Sequence, residues 1–292
     1  MSRVDLHLHS RASDGVLSPT EVVRAVAARG LTGLSLTDHD TVAGVEEARE
    51  EAARLGLEFL VGAELSANEP GRSVHVLAYG FDPEHPELIE FFDRFRRDRL
   101  RRAEAIVRRL NENGVSLGME AVMREATGGL PTRAHLGRAL VAENLVPDIH
   151  SAFRLWLARD RPAFVEKTPS PPPAVFELIH RAGGIAVLAH PGRDYSEADL
   201  DGYVNAGLDG IEILHAANGP SVRASLGRMV RKHGLLRSGG SDWHGPGAGG
   251  SEPGSQRVPA TWMHEIIERV KNGSDAGHSH QVQPISDTES RA

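Results

Sequence analysis

The sequence predicts an α/β fold with parallel strands, interrupted by a block of helices. Three observations carry that expectation. Strand and helix signals alternate over the first eighty residues; the rhythm resumes near residue 174; and from about 81 to 167 only helical patterns occur. With 292 residues, 40% of them hydrophobic, the chain can bury one large core or one domain carrying a substantial insertion, and for most of its length it is too apolar to be disordered.

Taken in order, residues 4–8 form the first strand. Ser18-Pro19-Thr20-Glu21 is a capping box with proline at the first helical position, opening a helix that stops at Gly30. A strand over 31–36 follows, then the loop Thr37-Asp38-His39-Asp40, a helix to about residue 55, and strands over 59–63 and 74–79. Residues 86–113 form one arginine-studded helix, with shorter helices around 118–126, 132–143 and 148–158. The proline-rich stretch 169–173 favours extended backbone and closes the insertion. A helix over 174–182, strands over 185–189 and 210–214, a helix over 219–233, a strand over 235–238 and a last helix near 261–271 complete the pattern. The expected parts are therefore an α/β unit over 1–80 and 168–272, a helical cap over 81–167, and a polar, disordered tail over 273–292.

Composition narrows the chemistry. There is no cysteine, which excludes disulfides and thiolate zinc sites, so any metal must be held by imidazole and oxygen; such ligands suit Mn, Zn, Fe or Mg. The opening Met1-Ser2-Arg3-Val4-Asp5 has no apolar targeting core, and no apolar run approaches the ~20 residues of a membrane span, so a cytoplasmic protein with no membrane partner is expected. The net charge of -7 argues against coating long duplex nucleic acid, whose affinity comes from excess Lys and Arg. Fifteen histidines beside three tyrosines and three tryptophans are more than a core needs and supply ligands.

Their positions support that role. His7 and His9, at the end of the first strand, share one side by the two-residue period and can grip one ion, although an isolated His-x-His is as readily two surface residues. Asp14, before Gly15, would alone be turn chemistry. Repetition changes the weighing: the second strand runs into Asp38-His39, the third into Glu64, the fourth contains His75, and later ones end at His190 and at Asp242-Trp243-His244. The ends of parallel strands meet on one face in a barrel, where active sites are built, and unrelated core or surface histidines would not all fall there.

The ordered motifs HLHSRASDG, LTDHD, the Glu64 strand, Val74-His75, AHPG and SDWH resemble those of the PHP (polymerase and histidinol phosphatase) superfamily across the whole α/β part. The resemblance implies a distorted (β/α)7 TIM-like barrel with a trinuclear metal site, manganese foremost. Its ligands would be His7, His9, Asp14, His39, Glu64, His75, His190, Asp242 and His244, all but His75 also assigned to catalysis. The insertion resembles that of stand-alone bacterial members similar to nucleoside 3′,5′-bisphosphate phosphatase and 5′-to-3′ exoribonuclease. Arg99, Arg102, Arg133 and His135 match phosphate-binding stretches of that branch, and Asn218 aligns where many relatives carry a substrate-contacting His. Asp38 is expected to support a ligand or meet substrate, or else to cap the next helix.

The expected activity is hydrolysis of phosphate esters of small nucleotides, or at the 5′ end of short RNA, by metal-activated water. Clustered divalent cations lower the pKa of bound water toward ~7 and neutralise charge on a phosphoryl oxygen. Most arginines of the long helix must be solvated or paired, but Arg99 and Arg102, three apart, share a face and can clamp a second phosphate. Competing readings are a histidinol-phosphate or other sugar-type phosphatase, an amidohydrolase, and a non-catalytic regulatory module. The basic insertion argues against the first of these, and nine intact ligand positions argue against the last. No protein partner is inferable from the sequence.

Overall fold

The computed structural model describes residues 2–126, 130–248 and 250–277. In chain order, β1 (Arg3–Asp5), α1 (Pro19–Ala28), β2 (Gly33–Leu34) and α2 (Val45–Leu55) lead to three successive strands, β3 (Glu58–Phe59), β4 (Gly62–Glu69) and β5 (Arg72–Tyr79). The insertion follows as α3 (Pro86–Glu112), α4 (Met119–Glu125), α5 (Arg133–Ala142), α6 (Ile149–Ala152) and a π-helical turn, Phe153–Leu157. The second α/β stretch comprises α7 (Pro172–Arg181), β6 (Ile185–Leu188), α8 (Glu197–Asn205), β7 (Gly210–Leu214), α9 (Pro220–His233), β8 (Leu236–Gly239), β9 (Val258–Pro259) and α10 (Ala260–Gly277).

The mixed α/β class is as expected, but the strands form two sheets, β3-β2-β1-β9 and β4-β5-β6-β7-β8, with no continuous ladder closing them among the described residues. Pairing within β1-β2-β3 and within β6-β7-β8 is parallel, whereas β5 runs antiparallel to both β4 and β6. The reversal at β4–β5 is made by a two-residue turn, Pro70-Gly71. Proline sets the first central position and Gly71, at φ +84°, takes the left-handed second one. That dipeptide was legible as a hairpin signal, and the expectation of uniformly parallel strands overlooked it.

The sheets meet at two seams, each an isolated parallel bridge, Leu8 with Trp243 and His39 with Glu64. Both seams therefore run through the histidine motifs. The strand expected over 4–8 ladders only to Asp5 and then bonds across the seam, Leu6 N–H to Gly239 O at 3.2 Å and His9 N–H to Trp243 O at 3.0 Å. The strand expected over 59–63 is divided between the sheets, β3 ending one and β4 beginning the other.

Buried side chains of β4–β7 and of α7, α8 and α9 form the largest core, which also takes Leu88, Phe91 and Phe92 from the first turns of α3. Farther along α3, Ile106 and Leu110 join Val122, Leu136, Leu140 and Leu157 in a core belonging to the insertion alone. One helix of 27 residues, about 40 Å long at 1.5 Å per residue, thus belongs to both cores and fixes the insertion beside the strand ends.

Two elements escaped the sequence reading. Helix α8 has a capping box, but with Asp199 rather than Glu or Gln as its acid, and β9 is only two residues long. The helix expected over 148–158 is broken into α6 and the π-helical turn. The last helix extends to Gly277, beyond the expected end near 271; the rest of the tail, 278–292, lies outside the described residues. No described helix is long and apolar enough to cross a membrane.

Candidate metal centre and the adjoining cavity

Glu64, on β4 and 1% exposed, is the hub of the strand-end face. Its Oε2 lies 3.1 Å from His7 Nε2, 3.3 Å from His9 Nε2 and 3.3 Å from His39 Nδ1; its Oε1 lies 2.9 Å from His75 Nδ1 and 3.0 Å from His190 Nε2. Asp242 Oδ1 approaches His9 Nε2 at 3.1 Å and His7 Nε2 at 3.4 Å, and Asp14 lies 3.4 Å from His244 Nε2 and 3.8 Å from both His9 and His39. All nine residues matched to the PHP ligand set thus come together in one cluster. Eight of them fall into overlapping groups, His9-Asp14-His39-His244, His7-His9-Glu64-Asp242 and His39-Glu64-His75, and His190 joins them through Glu64 Oε1.

Divalent cations fit this donor set. Nine buried side-chain polar atoms among the described residues lack a hydrogen-bond partner, and four of them are imidazole nitrogens of the matched ligand set, on His9 (both), His39 and His75. Unsatisfied buried nitrogens are costly unless something accepts their lone pairs. Two tautomers are also fixed for ligation. His7 Nδ1 donates to Glu212 Oε1 at 2.9 Å and His244 Nδ1 donates to the Asp242 carbonyl at 2.8 Å, so in each ring Nε2 keeps its lone pair facing the cluster.

With no cation present the imidazoles and carboxylates must balance one another. Burial would lower the His9 imidazole, but Asp242 and Glu64 push it up to about 10; burial would likewise lower His7, but Glu212, Glu64 and Asp242 raise it well above its usual range. His39 goes the other way, to about 3, chiefly because burial disfavours its charge. Burial would raise Glu64, Asp14 and Asp242, yet the surrounding histidines hold all three below the ordinary carboxylate range.

Backbone geometry delivers these side chains. Asp40, His190 and Asp242, non-glycine residues beside or within the ligand motifs, adopt positive φ of 52°, 25° and 55°. Such conformations are uncommon and concentrate at functional sites. At Gly240 a Cβ would lie 2.3 Å from His7 Cβ, so only glycine lets the β8 strand end pass the first motif. Buried Asp5 accepts N–H groups from His7, Ser241 and Gly254 at 3.3, 2.9 and 2.8 Å, tying β1 to that loop.

Two expected contacts have other duties. Asp38, 2% exposed, accepts from Ser10 N–H, Ser10 Oγ–H and Ser13 Oγ–H at 2.7, 2.7 and 2.6 Å, fixing the loop that carries Asp14; it does not cap α2, whose N-cap is Gly44. Asn218, 1% exposed, donates to Glu212 O and Ile213 O and accepts from Gly192 N–H. With its amide bonded to backbone at both ends it braces the His190 loop.

The reading missed Glu212 and His215. Glu212 is fully buried on β7 and joins His7 Nδ1 to the His190 N–H, 2.6 Å from its Oε2. His215 follows β7 directly and places Nε2 3.4 Å from Asp242 Oδ2. The rule that found the other ligands, a histidine just past a strand end, applied here too.

Beside the centre, under the insertion, is a cavity of about 340 Å³ lined by Arg99 and Arg102 of α3, Arg133 of α5, Lys167 and apolar walls including Phe95 and Phe153. Arg99 reaches the boundary, 3.7 Å from Asp40 Oδ2 and stacked on Phe95. Burial and the neighbouring guanidiniums of Arg133 and Arg99 lower Arg102 to about 10. His135 is not on the cavity wall: its Nδ1 accepts the Thr132 N–H at 3.1 Å in the α5 capping box, which leaves Nε2 as a donor.

An α/β fold that gathers imidazoles and carboxylates at its strand ends, beside a cationic cavity, defines the class of metal-dependent phosphoric ester hydrolases. The chain belongs to the PHP domain family, which it matches over residues 5–157. A 5′-3′ exoribonuclease of Haemophilus influenzae is 37% identical over 250 residues, covering 84% of this chain and 90% of that protein. A 3′,5′-nucleoside bisphosphate phosphatase of Chromobacterium violaceum is 36% identical over 260 residues, covering 87% and 91%. Among solved structures, a proposed metal-dependent phosphoesterase from Bifidobacterium adolescentis matches with a TM-score of 0.78 at 32% identity, over 92% of this chain and 96% of that one.

Proposed function

We propose that this phosphoesterase acts on 3′,5′-bisphosphonucleotides or the 5′ end of short RNA, with three divalent ions, manganese foremost, held by His7, His9, Asp14, His39, Glu64, His75, His190, Asp242 and His244. The observation that carries it is the juxtaposition of the Glu64 hub with a cavity lined by five cationic side chains, Arg94, Arg99, Arg102, Arg133 and Lys167. Cations bound at the hub supply Lewis acidity, neutralising charge on a phosphoryl oxygen and acidifying water. Arg99, Arg102 and Arg133 hold a second phosphate, and the apolar walls exclude water around the nucleoside between the two sites. His215 Nδ1 accepts the Ala217 N–H at 3.1 Å, which places the proton of the neutral ring on Nε2. That N–H, facing Asp242, can donate to a phosphoryl oxygen. Glu212 keeps His7 in its ligating tautomer.

The reading is tested by assaying Mn-loaded protein on nucleoside monophosphates, 3′,5′-bisphosphates, histidinol phosphate and short 5′-phosphorylated RNA. Bisphosphate or RNA should give the highest kcat/KM; a clear preference for histidinol phosphate would reject the nucleotide reading. A circular single-stranded RNA offers every internal diester and no end. It should survive, and its metal-dependent linearisation would make the protein an endonuclease.

A further inference from the structure

We propose that Asp5 is a positioning residue of the metal centre: its carboxylate holds the Asp242-Trp243-His244 loop against the His7-Leu8-His9 segment before any ion arrives, so that ligands from the two sheets stand ready to share one ion. The proposal rests on the metal-dependent reading above and adds to it a residue that is not itself a ligand.

The need for such a residue arises from the fold. β1 ends at Asp5, and the segment carrying His7 and His9 continues past the ladder, along the seam between the sheets. The Asp242 loop reaches the same seam from the other sheet, at the end of β8. Asp242 Oδ1 nonetheless meets Nε2 of both His7 and His9, at 3.4 and 3.1 Å, and these three residues form one donor group with Glu64. A donor group shared across a seam keeps its spacing only if the seam does.

Asp5 is placed to hold it. The residue is 1% exposed, and both oxygens are spent on main chain: Oδ1 accepts from Ser241 N–H at 2.9 Å and from His7 N–H at 3.3 Å, and Oδ2 from Gly254 N–H at 2.8 Å. Each donor belongs to a different piece. His7 opens the first motif, Ser241 stands between β8 and Asp242, and Gly254 lies on the approach to β9, which pairs with β1. The β8 end also presses on the carboxylate, since a Cβ at Gly240 would lie 2.8 Å from Oδ1. Ser251 N–H donates to Ser241 O at 2.8 Å, so the far side of the 242–251 loop hangs on the same anchor. Burying a carboxylate with only amide donors to receive it is costly, and an apolar side chain would serve packing better, which points to a task other than core stability.

The test variant is D5N, which keeps the shape but turns one oxygen into an NH2 group that faces an N–H donor whichever way the amide is set. Hydrogen exchange on metal-free protein reads the Ser241 and Gly254 amides, and Mn titration followed by electron paramagnetic resonance reads how many ions bind and whether they lie close enough to couple. In wild type both amides should be protected without metal. In D5N their protection should fall about tenfold or more while amides of β4–β6 keep theirs, and at least one Mn per chain should bind about 10- to 100-fold more weakly, the usual size of a lost supporting bond, with the coupled signal giving way to that of isolated ions. Rapid exchange of both amides in metal-free wild type would overturn the proposal, because ions rather than Asp5 would then set the loop, and this measurement decides even if D5N does not fold. A folded D5N with wild-type affinity for every ion would overturn it too. If no nucleotide or RNA is hydrolysed while Mn binding still depends on Asp5, the substrate reading falls and this one stands.

Discussion

Glu64 lies within 3.3 Å of five imidazole nitrogens, its neighbours fixed by the strand ends and by buried carboxylates behind them, whereas Arg99, Arg102, Arg133 and Lys167 face a cavity with no free carboxylate on its wall. The first region is an excess of lone pairs organised by β-structure, the second an excess of positive charge organised by an inserted bundle with its own core. On the function proposed above, the difference separates reaction from selection: metals at the first region would activate water on any phosphate ester, and the second would choose which molecule is presented. It also separates rigidity, since the hub is seated at the seams of two sheets while half the cavity belongs to helices joined to those sheets chiefly through α3.

The largest effect should come from the hub. Chelation should abolish hydrolysis, and Glu64→Ala should lower kcat by about 10³-fold or more with the circular dichroism spectrum retained. Elemental analysis should find more than one divalent ion per active chain; at most one would reject the polynuclear centre. Unfolding of Glu64→Ala would make the cluster structural rather than catalytic and break the comparison at its first term.

One step back from the hub, Glu212→Gln should keep the shape of the side chain but weaken its hold on His7 Nδ1–H. About 10- to 100-fold in metal affinity or kcat is the usual size of such a loss, read by metal titration and by turnover at saturating Mn. No change in either would show that the His7 tautomer is set by something else.

How far each region could be read from the sequence follows from the same difference. The ligands obey a positional rule, because strand ends converge whatever the surrounding packing, and so His7 through His244 could be placed together without coordinates. Glu212 was invisible for the opposite reason: an acid inside a strand has no local signature until the strand is known to be buried on both faces. The bonds of Asp38 and Asn218 could not be read in advance because a polar residue near a ligand can as well be a backbone clamp, and only its hydrogen bonds tell which. In the insertion, helical periodicity revealed the helices but not which of eight arginines between 94 and 109 face inward, and Lys167, just before the proline-rich stretch, carried no pattern at all. The antiparallel pairing of β4 with β5 hinged on a single turn, Pro70-Gly71.

Sharpening the contrast between reaction and selection, Arg133→Ala should raise KM for a 3′,5′-bisphosphate by roughly tenfold, the scale of one charge-assisted hydrogen bond, and by distinctly less for an aryl phosphate, with kcat on the aryl ester changed little. Equal effects on the two substrates would mean that the cavity supports the fold of the insertion instead of holding a phosphate.

The smallest expected effect concerns stability and separates the two regions by pH. In the metal-free protein His9 is raised to about 10 from an ordinary value near 6.5, and His7 is raised in the same sense. A histidine with a raised folded value contributes stability that is fully present below pH 6.5 and is lost as the pH climbs through 10, because the proton that offsets Glu64 and Asp242 departs. His39, lowered to about 3, acts oppositely: its contribution is present above pH 6.5 and is lost as the pH falls toward 3. The chelated protein should therefore lose a few degrees of Tm between pH 6.5 and 10, at about 2–4 °C per kcal/mol for a chain of this size. The Mn-loaded protein should hold or gain Tm over the same interval, since cations bind deprotonated imidazoles and metal affinity grows with pH. Lys167, lowered to about 8, also titrates in this interval but with the other sign: losing its proton relieves repulsion among the cavity cations. K167M should consequently make the fall in the chelated protein steeper. A chelated wild type whose Tm rises from pH 6.5 to 10 would show that cavity repulsion, rather than the carboxylates of the hub, dominates the electrostatics of the metal-free state.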